Sequence, residues 1–276
     1  MKMQKQSAKL VVGVPVRNQL NFVRACLATL AKWRLPETEI IIVDDASNTP
    51  CRDFLEDFAD REEGVALLKN DRQRGFPYNC NEIIYNSASE TICLLNSDTL
   101  VTPNWDKYVL EVMALDDKNG LAGPSTSFTH TPQSLAGLRQ IRMNHDEQTV
   151  VDIAASVYKQ YRDKYEPMSQ LGGFCLFFKR KVIKDIGYFD ERFGLGGGEE
   201  DDFVFRARKA GYSAIWVKYA YVHHYGHCSF TEELGSASSD LWVKNNMIYK
   251  MKRLMPGMGE IRHLPKKREK HASPVY

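Results

Sequence analysis

The sequence lacks the features of a membrane-spanning or secreted protein. Its 276 residues contain no apolar run that approaches the roughly 20 residues of a membrane helix. The polar start Met1–Gln6 leads into a strand-like segment, whereas a signal peptide would continue into an apolar region. We therefore expect a cytoplasmic protein.

The cysteines lack the spacing of a metal-binding or disulfide-bonded framework. The six are scattered without any C-x-x-C pair, and several fall in apolar patterns where a thiol acts as a small hydrophobic group. Neither a zinc knuckle nor a set of disulfides is supported, which fits a reducing compartment.

A strong excess of one charge is also missing. The formal net charge is +2, so overall electrostatics give no reason to expect nucleic acid. The local exception is the basic run Lys266–Lys270. A merely solvated tail is the interpretation that we favour, and a peripheral contact with an anionic membrane or with nucleic acid is the alternative.

The first part of the chain alternates between strand and helix patterns. Short apolar runs at Leu10–Val16, Glu39–Val43, Val65–Leu68 and Thr91–Leu95 are separated by segments whose apolar residues have helical spacing. This alternation predicts an α/β fold, with a mostly parallel central sheet flanked by helices in a single Rossmann-like domain.

The remaining elements follow from the same patterns. Helices are predicted at 51–59, 106–115, 150–165 and 240–254, and strands at 121–124, 171–178 and 217–222. Thr49 is the predicted N-cap of the first of these helices. The polar, weakly periodic stretch 125–146 predicts an inserted loop that lies over the sheet.

Carboxylates follow two of the predicted strands. Asp98 comes after the fourth apolar run, and Asp44 with Asp45 comes after the second. Ligands of open α/β sheets bind outside the carboxyl ends of the strands, so these acids are candidates for a site. For Asp98 alone, a turn or the cap of the helix after Thr102–Asn104 is the alternative.

Four acids follow a glycine-rich run. Gly194–Gly198 precedes Glu199–Asp202 at the start of a predicted helix. Bare N–H groups at such a start often bind phosphate, but adjacent carboxylates would repel a diphosphate. The acids therefore either complement the helix dipole or line a pocket for a hydroxyl or a metal.

Histidines cluster after the strand predicted at 217–222. His223, His224 and His227 lie within five residues, which exceeds what packing needs. We expect at least one of them to bind a metal, with a structural role as the alternative.

Taken in order from Leu10 to Phe230, these stretches resemble the family 2 glycosyltransferases. Val43–Ser47 is similar to the Val-Asp-Asp-Gly-Ser segment with which that family contacts its nucleotide. Asn96-Ser97-Asp98 stands where the family carries its Asp-x-Asp metal motif.

The family's later signature is also matched. Phe189–Phe193, followed by Glu199–Asp202 and Arg206, resembles its Phe-Asp-Glu…Glu-Asp-x-Asp…Arg pattern. His224 and Gly226 resemble a further metal-contacting element that is frequent in the family.

The resemblance implies a glycosyltransferase A fold and a metal-dependent, inverting enzyme. Such an enzyme moves a sugar from a nucleotide-sugar donor, UDP-linked or similar, to an acceptor hydroxyl, and the implied cofactor is Mn²⁺ or Mg²⁺. The implied catalytic domain is 1–259, with a nucleotide-binding half at about 8–124 and an acceptor-binding half at about 125–259, followed by a basic tail at 260–276. The commonest acceptor in the family is a glycan or a lipid-linked glycan; a protein or a modified nucleic-acid base is the alternative.

Residue roles follow by carrying the family motifs onto this sequence. Glu200 is the implied catalytic base, with Asp201 as the competitor, and Asp98 and His224 are the implied metal ligands. The implied donor contacts are Pro15, Arg17, Asn18, Asp44, Asp45, Arg74, Gly75, Asn81, Asn96 and Ser97. The implied acceptor-side residues are Gly172, Gly173, Glu199, Asp202 and Arg206.

Two positions depart from the family pattern. Asn96 replaces the first Asp of the metal motif, which implies weaker or more diphosphate-dependent metal binding. Aligning the helix on Arg206 and Gly211 places Glu200 where the family usually has its base Asp, so the carboxylate is displaced by one methylene.

Three other functions compete with this interpretation. A glycosidase also uses two carboxylates but needs neither the metal set nor a nucleotide pocket. A catalytically idle module that binds a glycan or a nucleotide sugar is favoured by Asn96 and disfavoured by the intact cluster Glu199–Asp202. A nucleotidyltransferase shares the acidic metal site, but the basic glycine-rich loop expected of it is missing.

Overall fold

The computed structural model describes residues 9–141, 143, 146–226 and 237–254. A nine-stranded mixed sheet forms their centre. The strands are β1 (Leu10–Val16), β2 (Glu39–Asp44), β3 (Val65–Lys69), β4 (Thr91–Leu95), β5 (Thr99–Val101), β6 (Asn119–Ser125), β7 (Tyr165–Pro167), β8 (Cys175–Lys179) and β9 (Ser213–His224). The helices are α1 (Leu20–Trp33), α2 (Thr49–Arg61), α3 (Phe76–Asn86), α4 (Trp105–Ala114), α5 (Glu147–Tyr161), α6 (Arg180–Ile186), α7 (Glu199–Lys209) and α8 (Ala237–Leu254).

The sheet order is β3-β2-β1-β4-β8-β6-β9-β5, and β7 pairs with β9. The first four strands are mutually parallel, as the sequence predicted. β8 runs antiparallel to both β4 and β6, while β6 and β9 run parallel to each other. The strands β1, β2, β3, β4, β6 and β9 therefore share one direction, which confirms the mostly parallel α/β sheet.

Both faces of the sheet are covered, which is why its central strands are continuously apolar. In β1, Val12 and Val14 pack into one hydrophobic cluster together with Leu27 of α1. Val11 points to the opposite face and packs with Ile83 of α3. Adjacent residues of one strand thus belong to cores on two sides, the three-layer arrangement of an α/β domain.

The region after β6 corrects two predictions. The helix predicted at 150–165 is α5, which ends at Tyr161, and Tyr165–Pro167 instead forms β7 along β9. Asp163 has a φ of 60°, a left-handed conformation that a helix does not continue through. The strand predicted at 171–178 begins only at Cys175, so Gly172 and Gly173 lie in the loop before it.

Other boundaries differ by a few residues. The cap of α2 is Asn48, whose side chain accepts a hydrogen bond from the Cys51 N–H, and not Thr49. The strand predicted at 217–222 extends over Ser213–His224. The short strand β5, directly after Asp98, was not predicted. Among the described helices, none combines the length and apolarity needed to cross a membrane.

Candidate active site

A cleft of about 800 Å³ opens at the carboxyl ends of β1, β4 and β9 and at the start of α7. This volume is typical of a small-molecule site. The predicted residues that line it are Pro15, Arg17, Asp45, Gly75, Asn96, Ser97, Asp98, Gly172, Gly173, Glu199, Glu200, Asp201 and His224. A smaller hollow of about 380 Å³, between Pro167–Ser169 and Gly211–Ala214, is lined by no carboxylate or histidine.

Asp98 and His224 meet inside this cleft. The three-residue strand β5 pairs antiparallel with the end of β9, with Thr99 opposite His224. The main chain is held again where Tyr225 N donates to the Asp98 carbonyl at 3.0 Å. As a result, Nε2 of His224 lies 3.2 Å from Oδ1 of Asp98, and both residues are buried.

The hydrogen bonding of His224 fits a metal ligand. Its Nδ1 lies 2.7 Å from the carbonyl oxygen of Phe128. A carbonyl only accepts, so Nδ1 carries the hydrogen and Nε2 of the neutral ring presents its lone pair to Asp98. Two acceptors facing each other require either a proton or a cation between them, and the carboxylate of the pair suits a hard cation such as Mn²⁺ or Mg²⁺.

The inserted loop between β6 and α5 orients this histidine. The Ser127 hydroxyl accepts from the His224 N–H and donates to the His224 carbonyl, each at 3.0 Å. His223 points to the other side of β9, where its Nδ1 lies 3.0 Å from the Tyr221 hydroxyl. His224 is therefore the histidine that the strand turns into the cleft, while His227 lies outside the described residues.

Within the described part of the chain, no group of three or more His, Cys, Asp or Glu side chains is arranged to hold a metal ion. The protein contributes the pair Asp98 and His224. A hard cation that is held by one or two carboxylates usually completes its coordination with water and substrate phosphates. The pair is thus suited to a cation that arrives with a phosphorylated ligand.

The acids at the start of α7 form the second chemical feature of the cleft. Gly198 caps the helix with a φ of 96°, a conformation that favours glycine and turns the chain sharply into Glu199. Burial raises the pKa of Glu199 to about 7. Burial, together with the charges of Glu199 and Asp201, raises the pKa of Glu200 well above its ordinary value. One Oε2 atom on each glutamate is buried without a hydrogen-bond partner.

Asp201 differs from its two neighbours. Burial raises its pKa, but Gln170 opposes this by donating a hydrogen bond of 3.2 Å to Oδ1. Its charge is therefore already partly compensated by a protein donor. Glu200 lines the cleft, has a raised pKa and keeps a buried Oε2 without a hydrogen-bond partner, a combination that is compatible with a general base.

Helix α8 fixes the glycine-rich loop that precedes these acids. Asn245 donates to the carbonyls of Phe193 and Gly196 at 2.9 and 2.8 Å. Lys252 lies 2.8 Å from Asp190 and 2.7 Å from Asp202. Burial alone would raise the pKa of Asp190, but hydrogen bonds from Arg192 and Lys252 lower it to about 2.

Asp45 joins the end of β2 to the loop before α3. Its Oδ1 accepts from Asn70 and from the Arg74 N–H, and its Oδ2 accepts from the Gly75 N–H. Gly75 then passes so close to Gly194 that a Cβ would lie 2.2 Å from the Gly194 oxygen. Asp45 therefore shapes this edge of the cleft through the backbone of the loop.

Comparison with known proteins now identifies the family. Residues 11–187, more than half of the chain, match Glycosyl transferase family 2. The chain belongs to this family. The resemblance inferred from its motifs is thereby confirmed.

Relatives of this family 2 chain are distant. The chondroitin synthase of Escherichia coli is 22% identical over 240 residues, which cover 78% of this chain and 34% of the synthase. The chain therefore spans about a third of that protein's length.

Solved structures share the fold. The mannosyltransferase PcManGT from Pyrobaculum calidifontis, in complex with GDP-Man and Mn²⁺, matches with a TM-score of 0.65 at 14% identity, covering 94% of this chain and 67% of the mannosyltransferase. GalNAc-T7 with UDP, GalNAc and Mn²⁺ matches with a TM-score of 0.62 at 14% identity, covering 80% of this chain and 44% of GalNAc-T7. At these identities the likeness establishes the glycosyltransferase fold.

Six residues of the predicted site do not line the cleft of this family 2 chain. They are Asn18, Asp44, Arg74, Asn81, Asp202 and Arg206. Asn18 accepts from the Asn48 N–H and braces the turn before α2. Asp44 accepts from the Ser47 N–H and lies 3.6 Å from Nε of Arg52.

The other four residues make contacts with the protein interior or with loops outside the cleft. They are Arg74, Asn81, Asp202 and Arg206. Asn81 bonds to the backbone of Phe189 and to the Glu191 carboxylate. Arg206 pairs with Asp202 at 2.8 Å and donates to two carbonyls before the glycine-rich loop. Arg74 lies over the Tyr78 ring, 5.2 Å from its centroid. These contacts support the cleft from behind, because each ties a cleft-forming loop to a helix.

Several cleft residues were not predicted. Among them are Gln73, Asn79, Phe128, Thr129, His130, Thr131, Gln170, Asn245, Asn246 and Tyr249. Most lie on loops that the tertiary fold brings to the cleft. The sequences of these loops show no regular spacing of apolar residues from which their position could have been predicted. The adjacent asparagines 245 and 246 were the available clue, since Asn is a poor helix former in the middle of a helix.

Proposed function

We propose that this chain catalyses a metal-dependent, inverting transfer of a sugar from a nucleotide-sugar donor, UDP-linked or similar, to an acceptor hydroxyl. The observation that carries the proposal is that one cleft contains both the Asp98–His224 pair and the Glu200 carboxylate. Inverting transfer is an in-line displacement at the anomeric carbon. It needs charge neutralisation at the leaving group and a base at the attacking hydroxyl.

The proposed metal dependence rests on the side chains that could coordinate the metal. Asp98 and His224 would hold Mn²⁺ or Mg²⁺ together with the donor diphosphate, and the solved relatives named above contain Mn²⁺. When bound, the cation neutralises the negative charge that develops on the departing diphosphate. Asn96 offers no second carboxylate here, which is consistent with a cation that depends on the diphosphate.

The donor side is proposed to lie at the ends of β1, β2 and β4. Arg17 is fixed by donating to the carbonyls of Asp45 and Ala46 at 2.7 Å, and its side chain lines the cleft. Backbone and polar groups of Pro15, Asn96 and Ser97 line the same side. The rigid strand ends supply the pre-organisation that nucleotide binding requires.

The acceptor side is proposed to lie between Gly172–Gly173 and the acids of α7. Here Glu200 takes the proton from the acceptor hydroxyl, because Glu200 lines the cleft and its pKa is raised. The adjacent Glu199 is proposed to accept a hydrogen bond from another acceptor hydroxyl. We propose a glycan or a lipid-linked glycan as acceptor, since several adjacent hydroxyls would satisfy these neighbouring carboxylates.

A screen of nucleotide sugars tests the proposal. The full chain is incubated with UDP-GlcNAc, UDP-GalNAc, UDP-glucose and GDP-mannose, with and without Mn²⁺, and release of the nucleoside diphosphate is measured. We expect release from one nucleotide series only, dependent on the cation, and an inverted anomeric centre in the product by NMR. Donor binding without turnover on any acceptor would favour the idle binding module, and pyrophosphate release would favour a nucleotidyltransferase.

A further inference from the structure

Helix α8 exposes a continuous apolar stripe. Val243, Met247, Met251 and Leu254 are 61%, 62%, 47% and 80% exposed. At about 100° per residue, their spacing confines them to about 80° of the helix surface. Scattered exposed apolar residues are normal, but a row of four along one helix forms a contiguous patch of the kind that marks an interaction site.

The opposite side of the same helix belongs to the cleft. Asn245, Asn246 and Tyr249 line it, and Lys252 pairs with the two buried aspartates behind it. These contacts fix the rotation of the helix about its axis. The apolar stripe therefore faces away from the protein, because Asn245 and Lys252 hold the opposite side of the helix against it.

Lysines border the stripe on both sides. Lys244 and Lys250 are exposed, and the helical spacing puts one along each edge of the apolar row. Further along the sequence, the basic run Lys266–Lys270 adds positive charge, although it lies outside the described residues. An apolar stripe with lysines at its borders is typical of a helix that lies in the plane of a membrane surface.

We propose that the stripe Val243, Met247, Met251 and Leu254 binds the surface of an anionic lipid bilayer. The apolar side chains enter the boundary of the acyl chains, while the lysines reach the anionic headgroups. Nucleic acid would engage the lysines but leave the apolar row in water. A second copy of this chain would bring two lysine-bordered faces together, and their like charges would repel.

This surface is separate from the proposed transfer site. None of the four stripe residues lines the cleft, and the helix presents its cleft side in the opposite direction. A chain bound through the stripe would keep the cleft accessible. Membrane binding and turnover with a soluble acceptor can therefore be measured independently, and either proposal can fail alone.

Co-sedimentation with vesicles tests the proposal. The full chain is mixed with vesicles of phosphatidylcholine and phosphatidylglycerol in equal amounts, and with vesicles of phosphatidylcholine alone. We expect binding to the mixed vesicles only, weakening as salt is raised. The variant Met247→Gln/Met251→Gln should bind at least about tenfold more weakly, because two apolar side chains no longer enter the bilayer.

Matched variants separate the contribution of the apolar side chains to vesicle binding from that of the lysines. Leu115→Gln removes an exposed apolar side chain elsewhere on the surface, 64% exposed, and should leave binding unchanged. Lys244→Gln/Lys250→Gln should weaken binding to the mixed vesicles, whereas Lys159→Gln on α5 should not.

Three results would overturn the proposal. The first is equal binding of the methionine variant and the unaltered chain. The second is a concentration-dependent dimer in sedimentation velocity that the methionine variant abolishes, which would assign the stripe to a second copy. The third is retention on DNA that requires the stripe, which would assign it to nucleic acid.

Discussion

Gly173 lies directly against the side chain of Glu200. A Cβ built on Gly173 would lie 3.3 Å from Cγ and Cδ of Glu200, closer than side chains normally tolerate. The same segment is tied to the donor side, since Phe174 O accepts from the Asn96 N–H at 2.9 Å. The absence of a side chain at 173 thus lets the glutamate pack against a segment that is anchored to β4.

Gly173→Ala should displace the Glu200 carboxylate by a few tenths of an ångström. Because a proton transfer depends steeply on alignment, we expect kcat to fall by up to about tenfold. The dissociation constant of the donor, measured by calorimetry, should stay unchanged. A loss of donor affinity with unaltered kcat would contradict this placement.

Glu200→Gln keeps the shape of the side chain but removes its basic oxygen. Turnover should therefore fall about 10²- to 10⁴-fold, the usual contribution of a positioned base. Donor affinity should barely change, because the base acts in the transition state on the acceptor side. If Asp201→Asn loses turnover instead, the base is one residue further along; if both variants stay active, neither acid is the base.

Asp98→Asn should abolish metal-dependent donor binding while the fold stays intact, since Asp98 follows a strand end and its carboxylate faces the cleft. Calorimetry with UDP in the presence and absence of Mn²⁺ measures the effect, and the thermal midpoint without ligand provides the control. We expect the variant to bind UDP equally well with and without Mn²⁺. Unchanged stimulation by Mn²⁺ would remove Asp98 from the metal site.

The pH dependence of activity should reflect the titration of the acidic cluster at the start of α7. Glu200 acts as a base only when deprotonated, and its pKa is raised well above the ordinary value of 4.5. Activity should therefore be lost on acidification at a pH well above 4.5. Glu199→Gln removes one neighbouring negative charge, so the acid limb of kcat/KM should move to lower pH. An unshifted limb would show that these carboxylates do not titrate together.

Lys252→Met should destabilise the fold by about 3 kcal/mol, because it leaves the buried carboxylates of Asp190 and Asp202 without their shared cation. Urea denaturation measures the change. Lys250→Met is the matched control on the same helix, and because Lys250 is exposed its effect should stay within about 0.5 kcal/mol. Equal effects of the two variants would mean that the ion pairs do not hold α8 in place.

The alternation of β1 to β4 with their helices could be predicted from the sequence, because strands and helices show different patterns of apolar residues. A buried parallel strand is continuously apolar, and a helix that covers it repeats its apolar residues every three or four positions. The acids Asp45, Asp98 and Glu200 were readable for a related reason. Asp45 and Asp98 follow strand ends and Glu200 lies in the first turn of α7, and side chains at element ends can serve a site.

The sequence did not reveal the elements whose pairing is non-local. β5 is three residues long and β7 lies on the sheet edge, so neither has enough residues to display a period. Both are strands only because β9 offers hydrogen bonds to them. Helix α8 was predicted, but the role of its Asn245 becomes visible only in the fold, where the side chain donates to the carbonyls of Phe193 and Gly196.

The sequence by itself determined the family, the alternation of strands and helices in the first half of the chain, and the candidates for base and metal ligand, since local patterns and motifs encode these. Only the tertiary structure decided which candidates meet. Asp98 and His224 are 126 positions apart by their numbers, and the antiparallel pairing of β5 with β9 brings them to 3.2 Å. Asn81 and Arg206 carry equally suggestive motifs, yet the fold turns both toward carbonyls and carboxylates of the interior, because a buried polar group must be paired wherever the chain places it.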